Sequence, residues 1–330
     1  MKTRVRAQVV SRREALVGAA ALTVAGCVKE EGGADLVTDA GTITPITPNA
    51  DHYITSCCGT PTVDGPAWTL TILDRGQELA QVTYAELEEL DARDREHTLE
   101  CISAGPYNLA ISNAVWTGLP LLEIFAHLGV TVPTDALELK FTSEDDYTTA
   151  VPIGDLELPI WLVWRMNGQE IPPEHGFPAR LLVPGRYGMK NPKWIRSIEF
   201  TVEHHTGYWE SRGWSEEAVY LVNGLVHAPR RSDPVPAGAA RVLGTAFAGT
   251  DPVVSVEVSV DDGAWQAATI DYAPGADIWT LWHHDVELAA GAHAIQVRCT
   301  TASGAATVGT EGGEYHEGYS GGMRIEIEVV

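Results

Sequence analysis

Cysteine is scarce in this chain of 330 residues: five in all, irregularly spaced, which excludes a disulfide-stapled scaffold. Lysine is as rare, at Lys2, Lys29, Lys140, Lys190 and Lys193, and 22 basic residues face 45 acidic ones for a formal charge of −23. That balance argues against nucleic acid or anionic membrane as a partner. It fits two readings equally, adaptation to high salt and a surface charged for solubility. The apolar segment 15–26 falls short of the roughly 20 residues that span a bilayer. No CxxCH sequence occurs, so no attachment site for a c-type haem is expected.

What is present begins with Lys2, Arg4 and Arg6, followed by Arg12-Arg13 and then the short apolar segment ending at Cys27. A positive head before a short apolar run predicts an export signal. Arg12-Arg13 resembles a twin-arginine signal, and LTVAGC (22–27) resembles a lipoprotein cleavage box that would make Cys27 a lipid anchor. Residues 1–26 are expected to be this signal, and 27–46, rich in Gly, Thr, Pro and acids, a flexible tether. A soluble secreted protein cut near Gly26 is the alternative. The remaining length suffices for two cores, hence two domains.

The first of these is organised around residues 97–129. An apolar, strand-like run ends at Cys101, a Gly/Pro-broken loop follows, and AISNAVWTGLP leads into a helix. Pro120 lies near that helix's first turn, Leu121, Ile124, Phe125 and Leu128 share one face, and Gly129 ends it. A shorter amphipathic helix is expected over 83–90. Taken alone, Cys101 reads as a small buried hydrophobe. LECIS and ISNAVWTGLPL, however, resemble the cofactor-cysteine segment of the sulfite oxidase family of molybdenum enzymes. The resemblance implies that Cys101 is the thiolate ligand to molybdenum, with a pterin dithiolene (molybdopterin) supplying the other sulfurs.

Residues 161–200 carry a second motif. Pro172, Pro173 and Pro178 fix a loop bearing His175 and Arg180, an apolar strand runs to Val183, and a Gly/Pro turn leads to Lys193-Trp194. Isolated, these cations read as surface charges. As a set they suit a phosphate-bearing ligand, arginine clamping bidentately and lysine adding a point charge. HGFPAR, LLVPGRYGMK and KW resemble the same family's pterin-binding segment, which implies pterin contacts at His175, Arg180 and Lys193, and backbone contacts at Met189 and Lys190.

Departures from the family pattern bear on the substrate. Where relatives carry an arginine, an asparagine and a histidine near the pterin, this chain has Thr55, Ser56 and Cys57. Sulfite is a small dianion that needs converging cations, so the missing arginine argues against it. Neighbours on a strand point to opposite faces and do not readily form a disulfide, so of Cys57 and Cys58 one is expected near the cofactor and one in the core. The near one is taken as Cys57. Trp214 stands where relatives have a tyrosine beside the metal, Tyr208 is a nearby lining residue, and Ala104-Gly105-Pro106-Tyr107 replaces an arginine cluster. With Cys101, Trp214 and Tyr208 as catalytic candidates, the pocket suits a substrate that is neutral or larger than sulfite. The pairs His204-His205 and His283-His284 would face opposite ways on strands and share no ion.

From Asn223 onward alternation replaces helical periodicity. Val254, Val256, Val258 and Val260 are expected on one face, with Asp262-Gly263 turning into a second run over 265–270. Ile295, Val297 and Cys299 alternate, as do Ile325, Ile327 and Val329, so Cys299 is structural. The pattern predicts an immunoglobulin-like sandwich, and its sequence resembles the family's C-terminal dimerisation domain, which implies a homodimer.

The expected fold class is therefore α+β, a molybdopterin-binding catalytic domain over 47–216 followed by an all-β sandwich over 217–330. The expected function is an exported, lipid-anchored oxidoreductase, periplasmic or on the outer cell surface, that transfers an oxygen atom to or from a small substrate. Electrons would pass to or from a separate carrier, such as a cytochrome or a quinone-linked protein. Oxidation of a sulfur oxyanion, reduction of an S-oxide or N-oxide, and a cofactor-free binding module are the three functions to separate.

Overall fold

The computed structural model describes residues 36–38, 41–231, 233–309 and 315–330. The expected signal and lipid-anchor residues, Arg12, Arg13 and Cys27 among them, lie outside that range.

Ten strands occupy the first half: β1 (Thr69–Asp74), β2 (Gln77–Thr83), β3 (Arg93–Glu100), β4 (Ile111–Pro120), β5 (Glu138–Ser143), β6 (Thr148–Pro152), β7 (Trp161–Met166), β8 (Gln169–Glu170), β9 (Arg180–Leu182) and β10 (Ile195–Thr201). One sheet has the order β2-β1-β10-β5-β6, with β1 and β10 parallel; the other runs β3-β4-β7-β8, with β9 added on β7. Alternation in β1 buries Leu70 and Ile72. β4 is central in its sheet and buried nearly throughout. Gly118 in β4 sits so close to β7 that a Cβ there would lie 2.1 Å from the Leu162 carbonyl oxygen.

The α-helices among the described residues are two and short, α1 (Tyr84–Glu88) and α2 (Leu121–His127), so the expected α+β class gives way to a mainly β molecule. Thr83 and Glu86 cap α1 reciprocally, at 2.8 and 3.2 Å. Leu121, Ile124 and Phe125 bury the core face of α2. Elsewhere Pro and Gly close the connections as single 3₁₀ turns, at Pro173–His175, Gly188–Lys190 and Glu210–Arg212.

The second half holds β11 (Asn223–Ala228), β12 (Gly238–Phe247), β13 (Val253–Val260), β14 (Gln266–Ala267), β15 (Thr269–Tyr272), β16 (Thr280–Leu288), β17 (Gly291–Thr301) and β18 (Arg324–Val329). They form two four-stranded sheets, β11-β12-β16-β15 and β14-β13-β17-β18, around a core that includes Phe247, Val256, Trp282, Ile295 and Val297. Two details correct the expectation. The pairing of β13 slips between Val253 and Ser255, which turns Val254 outward to 60% exposure. The run after Asp262-Gly263 pairs with β13 only through β14, then crosses to the other sheet as β15.

The two halves share a seam rather than a linker. Ile102, Ile111, Tyr187 and Met189 pack into the same apolar core as the second half. The Thr98 amide donates to Asp277 at 2.8 Å, the Trp279 amide donates to Thr98 Oγ1 at 2.9 Å, and Arg95 pairs with Asp277 at 2.7 Å. At the end of β3, buried Glu100 accepts from Asn223 Nδ2 at 3.0 Å on both carboxyl oxygens. Burial pushes this carboxyl up to about 8. Asn223 Oδ1 is buried with no hydrogen-bond partner among the described residues.

Because Glu100 ionises earlier in the unfolded chain than in the folded one, stability falls as pH rises from its usual range, about 4.5, to about 8. Glu100→Gln removes the ionisable group and keeps an oxygen to accept from Asn223 Nδ2. Thermal melting should show it equal to the parent near pH ~4 and several degrees more stable near pH ~8.5.

Candidate functional site

One cavity in the first half gathers Cys57, Cys101, His175, Arg180, Met189 and Lys193 on its wall. Cys101 follows β3 directly. Its amide donates to the Ala110 carbonyl and its carbonyl accepts from Ala104, both at 2.9 Å, so the backbone pins the residue on either side. Its Sγ lies 3.2 Å from Ser103 Oγ, and the side chain is half-buried, which leaves the sulfur a face toward the cavity.

The cations come from the proline-fixed loop and the strand after it. Gly176 has a φ of +119°, and a Cβ there would lie 3.1 Å from Lys193 Cβ and 3.2 Å from Arg180 Cβ. Glycine thus lets Arg180 and Lys193 approach one another. The Phe177–Pro178 peptide is cis. Arg180 donates from Nη1 to His175 O at 2.9 Å and from Nη2 to Asn191 O at 3.1 Å, and its guanidinium lies over the Trp116 ring at 5.0 Å. Burial brings it down to about 10. Lys193 Nζ donates to Glu174 O at 2.8 Å and stands 4.3 Å from the Trp194 ring centre; burial, then Arg180, brings it down to about 7. Trp194 itself holds a left-handed φ of +51° and donates from Nε1 to Pro173 O at 2.6 Å.

His175 Nε2 bonds Asn49 O at 2.8 Å, and burial lowers the ring to about 4, so it is neutral near pH 7. His52, a wall residue that sequence reasoning missed, packs edge-on against His175 at 5.1 Å. Burial first, then His175 and Arg180, hold it well below the usual histidine range. Tyr53, Asp145 and Asn191 also line the wall and were missed. The one signal in the sequence was His52, the single histidine of residues 47–64; the other two are placed by turns that no periodicity marks.

The opposite side is aromatic, with Tyr147, Trp209 and Trp214. Tyr208 lies behind this face, its ring 6.0 Å from that of Tyr147 and 3.5 Å from the Arg212 guanidinium. Lys190 is not on the wall. Its ammonium is committed to Glu210 Oε1 at 2.5 Å and Ala150 O at 2.9 Å in the buried interior. The strand expected around Cys57 is absent, and Cys57-Cys58 sits in a bend. Cys57 is buried at the cavity, whereas Cys58 is exposed instead of belonging to the core.

These residues fit a phosphate-bearing pterin. Neither Arg180 nor Lys193 is in an ion pair among the described residues, and Arg180 Nε and His52 Nε2 are buried with no hydrogen-bond partner there. Burying positive charge without a counterion is costly, and an anion in the cavity relieves that cost.

Residues 58–209 match the model of the oxidoreductase molybdopterin binding domain. Mitochondrial sulfite oxidase of Homo sapiens is 25% identical over 302 residues, 77% of this chain and 55% of that protein. Sulfite oxidase of Gallus gallus is 28% identical over 294 residues, covering 74% and 64%, and NADH nitrate reductase of Cichorium intybus is 25% identical over 306, covering 74% and 33%. The chain therefore spans about a third to two thirds of these relatives' lengths. The structure of the sulfane dehydrogenase SoxCD from Paracoccus pantotrophus shares the fold, with a TM-score of 0.71 at 21% identity over 80% of this chain and 75% of that one. Residues 58–209 are thus a molybdopterin-binding oxidoreductase domain, in a chain similar to sulfite oxidases and to NADH nitrate reductase.

Proposed function

We propose that the chain is an oxygen-atom-transfer enzyme acting on a small neutral or weakly charged substrate, with Cys101 as the protein's ligand to molybdenum. The observation that carries this reading is that Cys101 Sγ shares one cavity with Arg180, Lys193 and His175. When bound, the cofactor supplies two-electron redox chemistry at the metal. Arg180 and Lys193 offset the charge of the pterin phosphate, and neutral His175 and His52 offer ring nitrogens to the pterin. The backbone pins around Cys101 fix where its sulfur sits, which limits reorganisation at the metal.

Substrate class follows from what lines the cavity. Thr55 and Ser56 are wall residues, so an arginine at either position would have faced the cavity. With Trp209, Trp214 and Tyr147 opposite, the lining favours an S-oxide or N-oxide over the sulfite dianion. Trp214 and Tyr147 act as walls that exclude water and orient the substrate. The Tyr147 hydroxyl donates to Met189 O at 2.6 Å, which fixes its ring, and Tyr208 packs beside it.

The wider reading has a catalytic part over 47–216 and an immunoglobulin-like part over 217–330, the latter pairing two copies as a dimer. The basic, apolar leader supports export and anchoring at Cys27, in the periplasm or on the outer cell surface. A separate one-electron carrier, a cytochrome or a quinone-linked protein, completes turnover.

Elemental analysis of protein made in a host that synthesises molybdopterin should give close to one molybdenum per chain. Dye-linked assays should show turnover with methionine sulfoxide or trimethylamine N-oxide exceeding that with sulfite; the reverse order would refute the substrate class. Cys101→Ser should stay folded by circular dichroism and lose turnover, and appreciable residual activity would remove Cys101 from the role. Lys193 is protonated below about 7 and neutral above it, so inorganic phosphate should bind the cofactor-free protein more weakly as pH rises through ~7, and Lys193→Arg should flatten that dependence.

A further inference from the structure

At one end of the cavity wall, two segments far apart in sequence bring sulfur and oxygen together. Cys57 Sγ, Cys58 Sγ and a carboxylate oxygen of Asp145 all lie within 4.8 Å of one another. Cys57 and Cys58 come from the N-terminal bend, Asp145 from the turn between β5 and β6. Cys57 Sγ already donates to Asp145 Oδ2 at 3.8 Å, while Asp145 Oδ1 accepts from the Tyr147 amide at 3.2 Å, which orients the carboxylate.

We propose that Cys57, Cys58 and Asp145 form a binding site for a thiophilic d¹⁰ dication of the Zn²⁺ type, separate from the molybdenum position at Cys101. Two thiolates with one carboxylate are a donor set for zinc-like ions; purely soft monovalent ions prefer sulfur alone, and hard ions prefer oxygen. Three protein ligands leave the fourth tetrahedral position to water, and the exposed side chain of Cys58 supplies both that opening and a path of entry. Binding releases the two thiol protons to solvent and forms two metal–sulfur bonds, with no change in oxidation state. Two thiolates and a carboxylate carry three negative charges, so the dication leaves the site at −1. The bend at 57–58 would then be tied to the β5–β6 turn by a metal bridge. This inference does not depend on how the pterin is held.

Cd²⁺ titration of the full chain, reduced with a phosphine and freed of metal, tests it, because cadmium–thiolate bonds give an ultraviolet charge-transfer band. The expected result is a band saturating at one Cd²⁺ per chain, reversed by excess Zn²⁺, unchanged in Cys101→Ser, and weakened at least about tenfold in affinity in Cys58→Ser and Asp145→Asn. Bound Zn²⁺ should also raise the melting temperature of the parent and not of Cys58→Ser. Cys58 is exposed, so its replacement by serine leaves the fold intact and the comparison fair. Absence of a band in folded, reduced protein would overturn the proposal. So would an affinity left unchanged by Cys58→Ser, or a band that disappears in Cys101→Ser, since the ion would then reside elsewhere.

Discussion

Two positive charges held inside a strongly acidic chain, with no carboxylate in salt-bridge contact among the described residues, govern this structure. Arg180 and Lys193 have their hydrogen-bond donors directed at backbone carbonyls of His175, Asn191 and Glu174. Carbonyl dipoles fix direction and leave net charge uncompensated. Much of the local architecture serves to keep the pair in place: the proline-rich loop, the glycine at position 176 that lets their backbones approach, and the indoles of Trp116 and Trp194 beneath each cation. The polypeptide maintains an arrangement that an anion completes, which is why the cofactor reading grows out of the energetics as well as the family.

How much of this could be read from sequence depended on whether a residue's role was set locally. The Cys101 segment and α2 were legible because alternation, a proline start and a glycine stop act over a few residues. His175, Arg180 and Lys193 were legible as a set only through their fixed-φ loop and the resemblance it carries. His52 was not, because nothing within ten residues indicates that its ring will meet His175. Lys190 and Lys193, three residues apart, show the same limit from the other side: one ammonium is consumed by buried Glu210 while the other reaches the cavity. The two-residue β14 and the outward Val254 were hidden for a related reason, since slips in strand register depend on the partner strand.

The expected helices were real but short, and the mainly β outcome has a physical origin. With proline and glycine concentrated in the connections, a chain of this composition closes its loops in single 3₁₀ turns that reverse direction within three residues. Such turns place side chains with little slack, and they bring His175, Gly188 and Met189 to the cavity wall.

The seam at Glu100 bears on the order of events during biosynthesis. The residue ahead of Cys101 is held by Asn223, and β3 is also fastened to Asp277 and Trp279. These partners leave the ribosome more than a hundred residues after the cysteine does. The strand bearing Cys101 can therefore reach its full set of contacts only once the second half has emerged, so the wall on which Cys101 stands is completed late and not in a nascent first half.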